Sequence, residues 1–400
     1  MFDGAQLLVI LAWLFPLICG EICYVAFLGM TLFGLKRLRK RTVKESLVAP
    51  KIEPGAAQTL SIILAARNEA DLIARTLEYL LAQDYPPNRF DIIVVDDRSE
   101  DDTAAIVESF SRRDPRIKLI RQTDIQSGVS PKKQALEAGI AASSAEIVAT
   151  TDADCTHRPD WLSTLVARFT PETDMVAGQA RFELPSNTPL WQRLQALDFQ
   201  SQNVAAAGLI AAGSPFNCIG ASLAFRRAAF DAVGGWSGIK HLISGDDEQL
   251  MAKLHRAGRK IVAATGAGSV VLTRPPASIK ELWHQRIRWG SKGLHYRFAQ
   301  KFFLTGVFLF LLELTLMPLA LFALILSGGD LVGHGFRIWA GAAAAKLLID
   351  LGTLHRGQQL FNDKVNVAEF LLAEIVHPAA IVAFALGGTL GKFEWKGRKY

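Results

Sequence analysis

The chain has 400 residues, half of them hydrophobic, with a positive mean hydropathy and a formal net charge of +6. This length allows one large soluble domain plus several membrane segments, and the apolar content is too high for a wholly soluble enzyme. The basic excess lies mostly beside apolar segments, which favours an anionic bilayer surface over nucleic acid as partner. Four cysteines without a C-x-x-C pair indicate a reduced compartment, with neither a disulfide framework nor a zinc site.

The first apolar segment, residues 7–35, is long enough to cross a bilayer. It is not typical of a signal peptide, because the chain start lacks positive charge and the apolar stretch is too long. Residues 36–41 are all basic except one, so the positive-inside rule places the chain after residue 41 in the cytoplasm. Residues 1–41 are therefore predicted to be a transmembrane helix with a basic flank, and the Pro- and Gly-containing residues 42–58 a linker.

Between Thr59 and Thr273, short apolar runs with strand character alternate with helical stretches. This alternation predicts an α/β domain at 59–273 with a mostly parallel, doubly wound sheet. Ser99 and Asp102 fit a capping box at the start of the helix after the second strand. The predicted strands cover residues 60–66, 91–96, 116–121 and 146–151, and the predicted helices include 69–83 and 102–112.

Acidic pairs follow two of these apolar runs, Asp96-Asp97 and Asp152-Ala153-Asp154, and a third pair is Asp246-Asp247. Open α/β sheets bind ligands at the carboxyl ends of their strands. Carboxylates collected there repel each other unless a cation lies among them, and a divalent metal bound to a nucleotide diphosphate is such a cation. Taken singly, the same residues also fit turns and helix N-termini.

Residues 274–300 have a different pattern, with apolar residues at helical spacing among basic ones. This pattern predicts an amphipathic helix at the membrane interface. Its last part contains Gln285, Arg288 and Trp289. The arginine offers a fork for phosphate, and the tryptophan a flat face for a sugar or an apolar acceptor.

The C-terminal membrane region, residues 301–391, contains three apolar segments, about 302–327, 336–353 and 366–390. If each crosses the bilayer, the tail at 392–400 lies outside. The tail is basic, however, and the positive-inside rule favours the inside. One segment that is re-entrant or interfacial would remove this conflict, and the last two segments are both candidates.

Six short motifs in this order make the chain resemble the membrane-bound family 2 glycosyltransferases with the GT-A fold, over about residues 59–300. Departures from the family pattern are Arg67, Pro131 and Asp246, where an aromatic residue, a glycine and a glutamate are common. The motifs are Ala65-Ala66-Arg67-Asn68-Glu69 (P-A-Y-N-E), Asp96-Asp97-Arg98-Ser99 (D-D-x-S), Lys132 before Ala135-Leu136 (G-K-x-x-A-L), Asp152-Ala153-Asp154 (D-x-D), Asp246-Asp247 before Leu250 (E-D-x-x-L) and Gln285-x-x-Arg288-Trp289 (Q-x-x-R-W).

The resemblance implies a donor site. Asp154 would be the ligand of Mg²⁺ or Mn²⁺, with Asp152 as a second ligand and nucleotide contact. Asp97 would accept a hydrogen bond from the base. The remaining residues expected at the nucleotide are Arg67, Glu69, Lys132 and Arg288, the last on the pyrophosphate.

The resemblance also implies an acceptor site. Asp247 would be the general base that takes the proton from the attacking hydroxyl. Asp246, Gln285 and Trp289 would bind the acceptor, with Trp289 as its floor.

These expectations predict an inverting glycosyltransferase of the membrane, with a cytoplasmic catalytic domain, a nucleotide-sugar donor (a UDP-sugar is favoured) and a lipid acceptor. A processive polysaccharide synthase is the main alternative, although the few membrane segments leave little material for a translocation pore. Asp152–Thr156 also fit D-x-D-x-T of haloacid-dehalogenase-type phosphatases, but there that motif ends the first strand of the domain. A catalytically silent membrane scaffold is a third class, and no obligate protein partner is inferred.

Overall fold

The computed structural model describes residues 4–46, 57–124, 126–326 and 332–400, which divide into two compact units. The sheet unit comprises Phe33–Pro275 and Arg356–Lys364. The helical unit comprises Met1–Leu32, Pro276–His355 and Val365–Tyr400.

The first helix, α1 (Gly4–Ser46), contributes to both units and extends beyond the predicted transmembrane segment. Its last turns belong to the sheet unit, where Leu35 and Leu38 are buried in the core. The Thr42 hydroxyl lies 2.9 Å from that of Thr265. These tertiary contacts keep the chain helical to Ser46, so the linker prediction is wrong for residues 42–46. The rest of that linker, up to residue 56, lies outside the described residues.

The sheet unit alternates strands and helices along the chain. Its strands are β1 (Leu60–Ala66), β2 (Phe90–Asp96), β3 (Ile117–Arg121), β4 (Ile147–Asp152), β5 (Thr173–Ala177), β6 (Gln179–Phe182), β7 (Leu223–Arg226), β8 (Lys260–Ala263) and β9 (Val270–Thr273). Its helices after α1 are α2 (Ile73–Leu81), α3 (Thr103–Arg113), α4 (Pro131–Ala142), α5 (Trp161–Val166), α6 (Leu190–Ala212), α7 (Arg227–Ala232) and α8 (Glu248–Arg256).

Seven strands form one sheet in the order β3-β2-β1-β4-β7-β5-β8. The first four are parallel to their neighbours, β7 is antiparallel to β4 and β5, and β5 is parallel to β8. Strands β6 and β9 form a separate parallel pair. The four predicted strands are confirmed to within one residue. Strands β1, β2 and β4 are almost wholly buried and read as continuous apolar runs, whereas β3 lies at the edge of the sheet with only Ile117 buried.

Two local predictions are wrong. Helix α2 begins at Ile73 rather than residue 69, and a turn precedes it in which the Leu72 and Ile73 N–H groups donate to the Glu69 carbonyl. The capping box before α3 does not form, because the Ser99 hydroxyl instead accepts a hydrogen bond from the Asn68 N–H. Asp101 Oδ1 accepts from the Thr103 N–H in its place.

The last residues of the helix Val332–Phe361 belong to the sheet unit. Leu360 and Phe361 are buried in its core, and Arg181 pairs with Asp363 at 2.7 Å, both side chains being 10% exposed. Arg181 binds both oxygens of Asp363, and a buried bidentate ion pair of this kind fixes orientation more than it adds stability. Residues 356–364 are thereby fastened to the α/β domain.

The helical unit begins its C-terminal part with α9, and a 3₁₀ turn at Ser291–His295 separates α9 from the next helix. The predicted interfacial helix therefore ends at Gly290. The elements are α9 (Ile279–Gly290), α10 (Phe298–Leu326), α11 (Val332–Phe361, whose end is in the sheet unit), α12 (Val367–Leu390), β10 (Glu394–Trp395) and β11 (Arg398–Lys399).

Three helices of the described chain are long and apolar enough to cross a membrane: Phe15–Thr42 in α1, Gln300–Ala320 in α10, and α12. Helix α11 is not among them. It contains Lys346, which is only 3% exposed and pairs with Asp350 at 2.8 Å and with Glu374 of α12 at 2.5 Å. The Tyr24 hydroxyl of α1 donates to Asp350 at 2.8 Å. The charges of Lys346 and Asp350, in the middle of α11, are thus paired with each other and with Glu374 and Tyr24.

Gly34 should tolerate a side chain less well than Gly20 or Gly29 of the same helix. A Cβ at Gly34 would lie 1.7 Å from the carbonyl oxygen of Gly208 in α6, whereas a Cβ at Gly29 would meet nothing within 4 Å. We expect Gly34→Ala to lower the free energy of unfolding by about 1–3 kcal/mol or more, because two backbones must separate. Gly29→Ala on the same helix is the control and should be neutral or stabilising by roughly 0.5–1 kcal/mol. Denaturant unfolding in detergent measures both; equal effects would contradict the close crossing.

Candidate functional site

The turns after β1 and β2 are joined by side chain to backbone hydrogen bonds. Arg67 Nη1 donates to the carbonyls of Asp97 at 3.0 Å and Arg98 at 3.1 Å, and its Nη2 pairs with Glu100 at 3.0 Å. Asn68 and Arg98 both have positive φ, 52° and 55°. Such strained backbone persists only where the surroundings over-determine it, and it clusters at functional sites. Arg67 therefore supports these turns.

Asp97 and Glu69 lie in the same two turns. The Asp97 side chain is 8% exposed and accepts a hydrogen bond from Arg98 Nε at 2.9 Å. The Glu69 N–H donates to the Thr103 hydroxyl, which holds the start of α3 against the first turn. The contacts of Arg67, Glu69 and Asp97 with a nucleotide stay predictions.

The end of β4 carries Asp152 and Asp154. Ligand atoms of Asp152, Asp154 and Cys155 all lie within 4.8 Å of one another. The Thr273 hydroxyl at the end of β9 donates to Asp154 Oδ2 at 3.1 Å and fixes that carboxylate. The two carboxylates predicted from the sequence are therefore close enough to share one cation.

The donor set at this place fits a hard divalent metal. Cys155 is buried, and its sulfur is a soft ligand. The carboxylate oxygens of Asp152 and Asp154 are the hard ligands of this set. Oxygen ligands suit Mg²⁺ or Mn²⁺, with phosphate oxygens and water completing the coordination.

Lys132 joins two of the acidic pairs. Its Nζ lies 2.8 Å from Asp152 Oδ1 and 3.3 Å from Asp246 Oδ2. Burial alone would lower the pKa of Lys132, but the charges of Asp152 and Asp246 outweigh it and raise that pKa. Burial would likewise raise the pKa of Asp246, and Lys132 and Lys133 lower it instead. The directions of these two pKa shifts favour the charged forms of Lys132 and Asp246.

Asp247 is held by two backbone N–H groups. As the N-cap of α8 it accepts from the Glu248 N–H through Oδ1 at 2.7 Å. Its Oδ2 accepts from the Gly220 N–H, just before β7, at 2.8 Å. The capping role and the chemical role are compatible, since each carboxylate oxygen can accept more than one hydrogen bond. The structure therefore brings Lys132, Asp152, Asp246 and Asp247 together.

Several supporting residues were missed from the sequence. Lys133 is fully buried and donates to the carbonyls of Leu242 and Ser244, which shapes the loop before Asp246. Trp236 Nε1 donates to the Asp246 carbonyl at 2.7 Å. The position of Lys133 directly after Lys132 could have indicated its supporting role from the sequence. The sequence contains no comparable signal for Thr273 or Gly220.

Gln285, Arg288 and Trp289 lie on α9 in the helical unit. Within that unit the Arg288 guanidinium stacks over Trp395 at 4.9 Å, and that of Arg286 stacks over Trp289 at 5.0 Å. These contacts are of cation–π type and fix both side chains on α9. The predicted contacts of Gln285, Arg288 and Trp289 with diphosphate and acceptor stay predictions.

Part of the sheet unit matches a protein-family profile. Residues 61–234, which include Asp97, Lys132 and the pair Asp152 and Asp154, match the profile described as glycosyl transferase family 2. These residues form a family 2 glycosyltransferase domain. The resemblance inferred from the motifs is confirmed. The phosphatase alternative is unsupported, since β4 is the fourth strand along the chain and not the first.

Two curated relatives show the range of the family 2 domain. The β-monoglucosyldiacylglycerol synthase of Synechocystis sp. is 32% identical over 275 residues, which is 64% of this chain and 53% of that protein. The poly-β-1,6-N-acetyl-D-glucosamine synthase of Staphylococcus epidermidis is 27% identical over 264 residues, 64% of this chain and 59% of that protein. The chain thus spans little more than half the length of these relatives.

A solved structure supports the fold over the chain. The mannosyltransferase of Pyrobaculum calidifontis, in complex with GDP-Man and Mn²⁺, aligns with a TM-score of 0.59 and 20% identity. The alignment covers 94% of this chain and 99% of that one. The predicted fold class, a GT-A-like domain with a mostly parallel sheet and flanking membrane helices, is confirmed.

The buried histidine beside the D-x-D pair should make the fold acid-sensitive. Burial lowers the pKa of His157 from 6.5 to about 3, and its Nε2 hydrogen-bonds the Thr151 hydroxyl at 2.7 Å. Between these values the unfolded chain binds more protons than the folded chain, so the free energy of unfolding falls as pH drops from 6.5. We expect His157→Gln to flatten this profile, measured by denaturant unfolding at several pH values. His255→Gln, at an exposed position of α8, should keep the parent slope; a parent slope in both variants refutes the assignment.

Proposed function

We propose that this chain is a membrane glycosyltransferase that moves a sugar from a nucleotide-sugar to a lipid acceptor at the cytoplasmic face, with inversion at the anomeric carbon. The observation that carries the proposal is the cluster in which Lys132 joins Asp152 at the end of β4 to the loop of Asp246 and Asp247. This cluster combines the metal-type ligands with a carboxylate suited to proton transfer, inside a family 2 domain.

The donor would lie at the carboxyl edge of the sheet. Asp154, held by Thr273, and Asp152 would bind the metal, which supplies charge stabilisation to the leaving diphosphate. The chain's own residues would bind the base through Asp97 and the phosphates through Lys132 and Arg288. A similar solved structure holds GDP-Man with Mn²⁺, which supports a nucleotide-sugar and a divalent metal. The family motifs favour uridine as the base.

The acceptor would meet Asp247. As the acceptor oxygen forms its bond to the anomeric carbon, the bond from that carbon to the diphosphate breaks, and the hydroxyl proton passes to the Asp247 carboxylate. The backbone N–H groups of Gly220 and Glu248 hold both oxygens of Asp247, so the base is oriented before the acceptor binds. Asp246, Gln285 and Trp289 would position the acceptor.

A lipid acceptor is favoured by the candidate membrane helices and by a relative named for a glucosyldiacylglycerol product. Another relative is named as a polysaccharide synthase, so a polymer product is the second candidate. The basic run at residues 36–41 favours a cytoplasmic position for the family 2 domain.

The product distinguishes the two candidates. We expect the purified chain, given membranes and a panel of UDP- and GDP-sugars, to make a lipid that carries one or a few sugars and stays in the organic extract. A UDP-sugar should be the active donor, and EDTA should stop the reaction. Mass spectrometry of extracted lipids measures the product. A long water-soluble polymer would reject the lipid acceptor, and activity only with a GDP-sugar would reject uridine.

Two aspartates should fail in different ways. Asp247→Asn should lower the rate of transfer about 10²–10⁴-fold while UDP binding is retained, because the base acts on the acceptor. Asp154→Ala should lose the metal-dependent part of UDP binding as well as turnover. Calorimetry with UDP and Mn²⁺, with and without EDTA, separates binding from rate. The control is Asp231→Asn on α7, whose side chain is 59% exposed, and it should match the parent. Parent-like turnover of the Asp247 variant would show that another group is the base.

A further inference from the structure

We propose that α12 does not cross the bilayer but lies along its cytoplasmic leaflet, with its apolar side chains among lipid acyl chains and the basic tail, residues 392–400, on anionic headgroups. Helix α10 then crosses the bilayer away from the sheet unit, and α11 crosses back, so α12 is not needed as a third C-terminal crossing. The partner of this surface is a lipid monolayer on the side of the sheet unit.

The first end of α12 is tied to the sheet unit through the chain. Residues Arg356–Lys364 belong to that unit, and Phe361 is 2% exposed in its core. The ion pair of Asp363 with Arg181 fastens the same segment. Val367, where α12 begins, follows Lys364 by three residues, which span roughly 10 Å at most. An α/β domain cannot enter the hydrocarbon core, so α12 begins on the side of this domain.

The other end of α12 is tied to α9. A Cβ at Gly388 would lie 2.8 Å from the Gly290 backbone, which shows how closely the two helices cross. Beyond α12, the Glu394 N–H donates to His284 Nδ1 at 3.2 Å, and Trp395 stacks under Arg288. The tail therefore lies beside α9.

Helix α9 cannot be on the far side of the membrane. The sheet unit ends at Pro275, and α9 begins at Ile279. From Pro275 to His284 the chain spans roughly 20 Å, allowing full extension up to Ile279, against a hydrocarbon thickness of about 30 Å. The helix also carries lysine, glutamate and two arginines, which would be costly in hydrocarbon. The tail is therefore on the side of the sheet unit, as is the start of α12.

With both ends on one side, α12 lies along the leaflet, over about 36 Å for its 24 residues. Its exposed apolar side chains would then contact lipid acyl chains. Among them are Ile375, which is 77% exposed, and Leu390, which is 85% exposed. The crossings become α1, α10 and α11, and the tail then lies inside, in agreement with its charge. Four cations of this tail can meet anionic headgroups: Lys392, Lys396, Arg398 and Lys399.

The two charged residues in the middle of α11, Lys346 and Asp350, do not oppose this assignment. Lys346 is nearly inaccessible and pairs with Asp350 and with Glu374, while Tyr24 donates to Asp350. A paired intramembrane charge costs far less than an isolated one. Hydropathy along the sequence ignores such pairing. By hydropathy and charge count alone, α12 is therefore a candidate membrane span and α11 is not.

Cysteine labelling tests the side of the tail. Lys392→Cys and Lys399→Cys mark the tail, Arg112→Cys marks the sheet unit at a side chain 74% exposed, and Ser327→Cys marks the connection between α10 and α11. A membrane-impermeant maleimide is added to sealed vesicles of either orientation, with the parent chain as the background for its four free cysteines. We expect both tail cysteines to be labelled in the vesicle orientation in which Arg112→Cys is labelled, and to be protected in the orientation in which Ser327→Cys is labelled. Labelling of the tail cysteines in the same orientation as Ser327→Cys overturns the proposal. Protection of both tail cysteines in both orientations also overturns it.

A depth measurement tests the helix itself in the reconstituted full chain. Leu371→Cys and Leu386→Cys, 48% and 47% exposed, carry nitroxide labels whose immersion is measured by electron paramagnetic resonance. A helix along the leaflet places both labels at equal depth. A crossing helix separates them by roughly 20 Å in depth, which would refute the surface position.

Discussion

Carboxylates gathered at one edge of a sheet need a cation, and in this chain Lys132 supplies one. Its ammonium lies between Asp152 at the end of β4 and Asp246 in the loop before α8, two segments nearly a hundred residues apart. Without it, the carboxylates of Asp152 and Asp246 would lack this shared cation. The geometry of the candidate site depends on this bridge, because the loop that carries Asp246 also carries Asp247. A metal with a diphosphate would meet an acidic site that is already ordered by an internal charge.

Other contacts hold the carboxylates beside this bridge and the loop that carries Asp246. The Thr273 hydroxyl donates to Asp154, the Gly220 N–H donates to Asp247, and Lys133 donates to the carbonyls of Leu242 and Ser244. Each contact joins residues far apart in the sequence. Preorganised donors of this kind cost no rearrangement when the substrate binds, which is the usual source of catalytic electrostatics.

The sequence could predict what depends on local pattern. Strands β1, β2 and β4 are almost wholly buried and read as apolar runs, and parallel pairing brings the acidic residues at the ends of β2 and β4 to one edge of the sheet. What failed depends on tertiary contacts. Ser99 fits a cap by spacing, yet its hydroxyl is taken by the Asn68 N–H, and α1 continues past the basic run because Thr42 reaches Thr265. Thr273 was invisible as a site residue, since it lies 119 residues from Asp154.

The membrane region shows the same limit in another form. Hydropathy scores each residue alone, whereas the cost of a charge depends on what it contacts. Lys346 counts against α11 by composition, but Asp350 and Glu374 remove most of that cost. Helix α12 is apolar enough by hydropathy to cross a membrane, yet Gly387 and Gly388 pack it against α9, the polar helix that carries the Q-x-x-R-W residues. A lipid-embedded helix that crosses α9 so closely would set how deep Trp289 sits in the leaflet. Acceptor access would then depend on contacts between two helices that the sequence presents as unrelated.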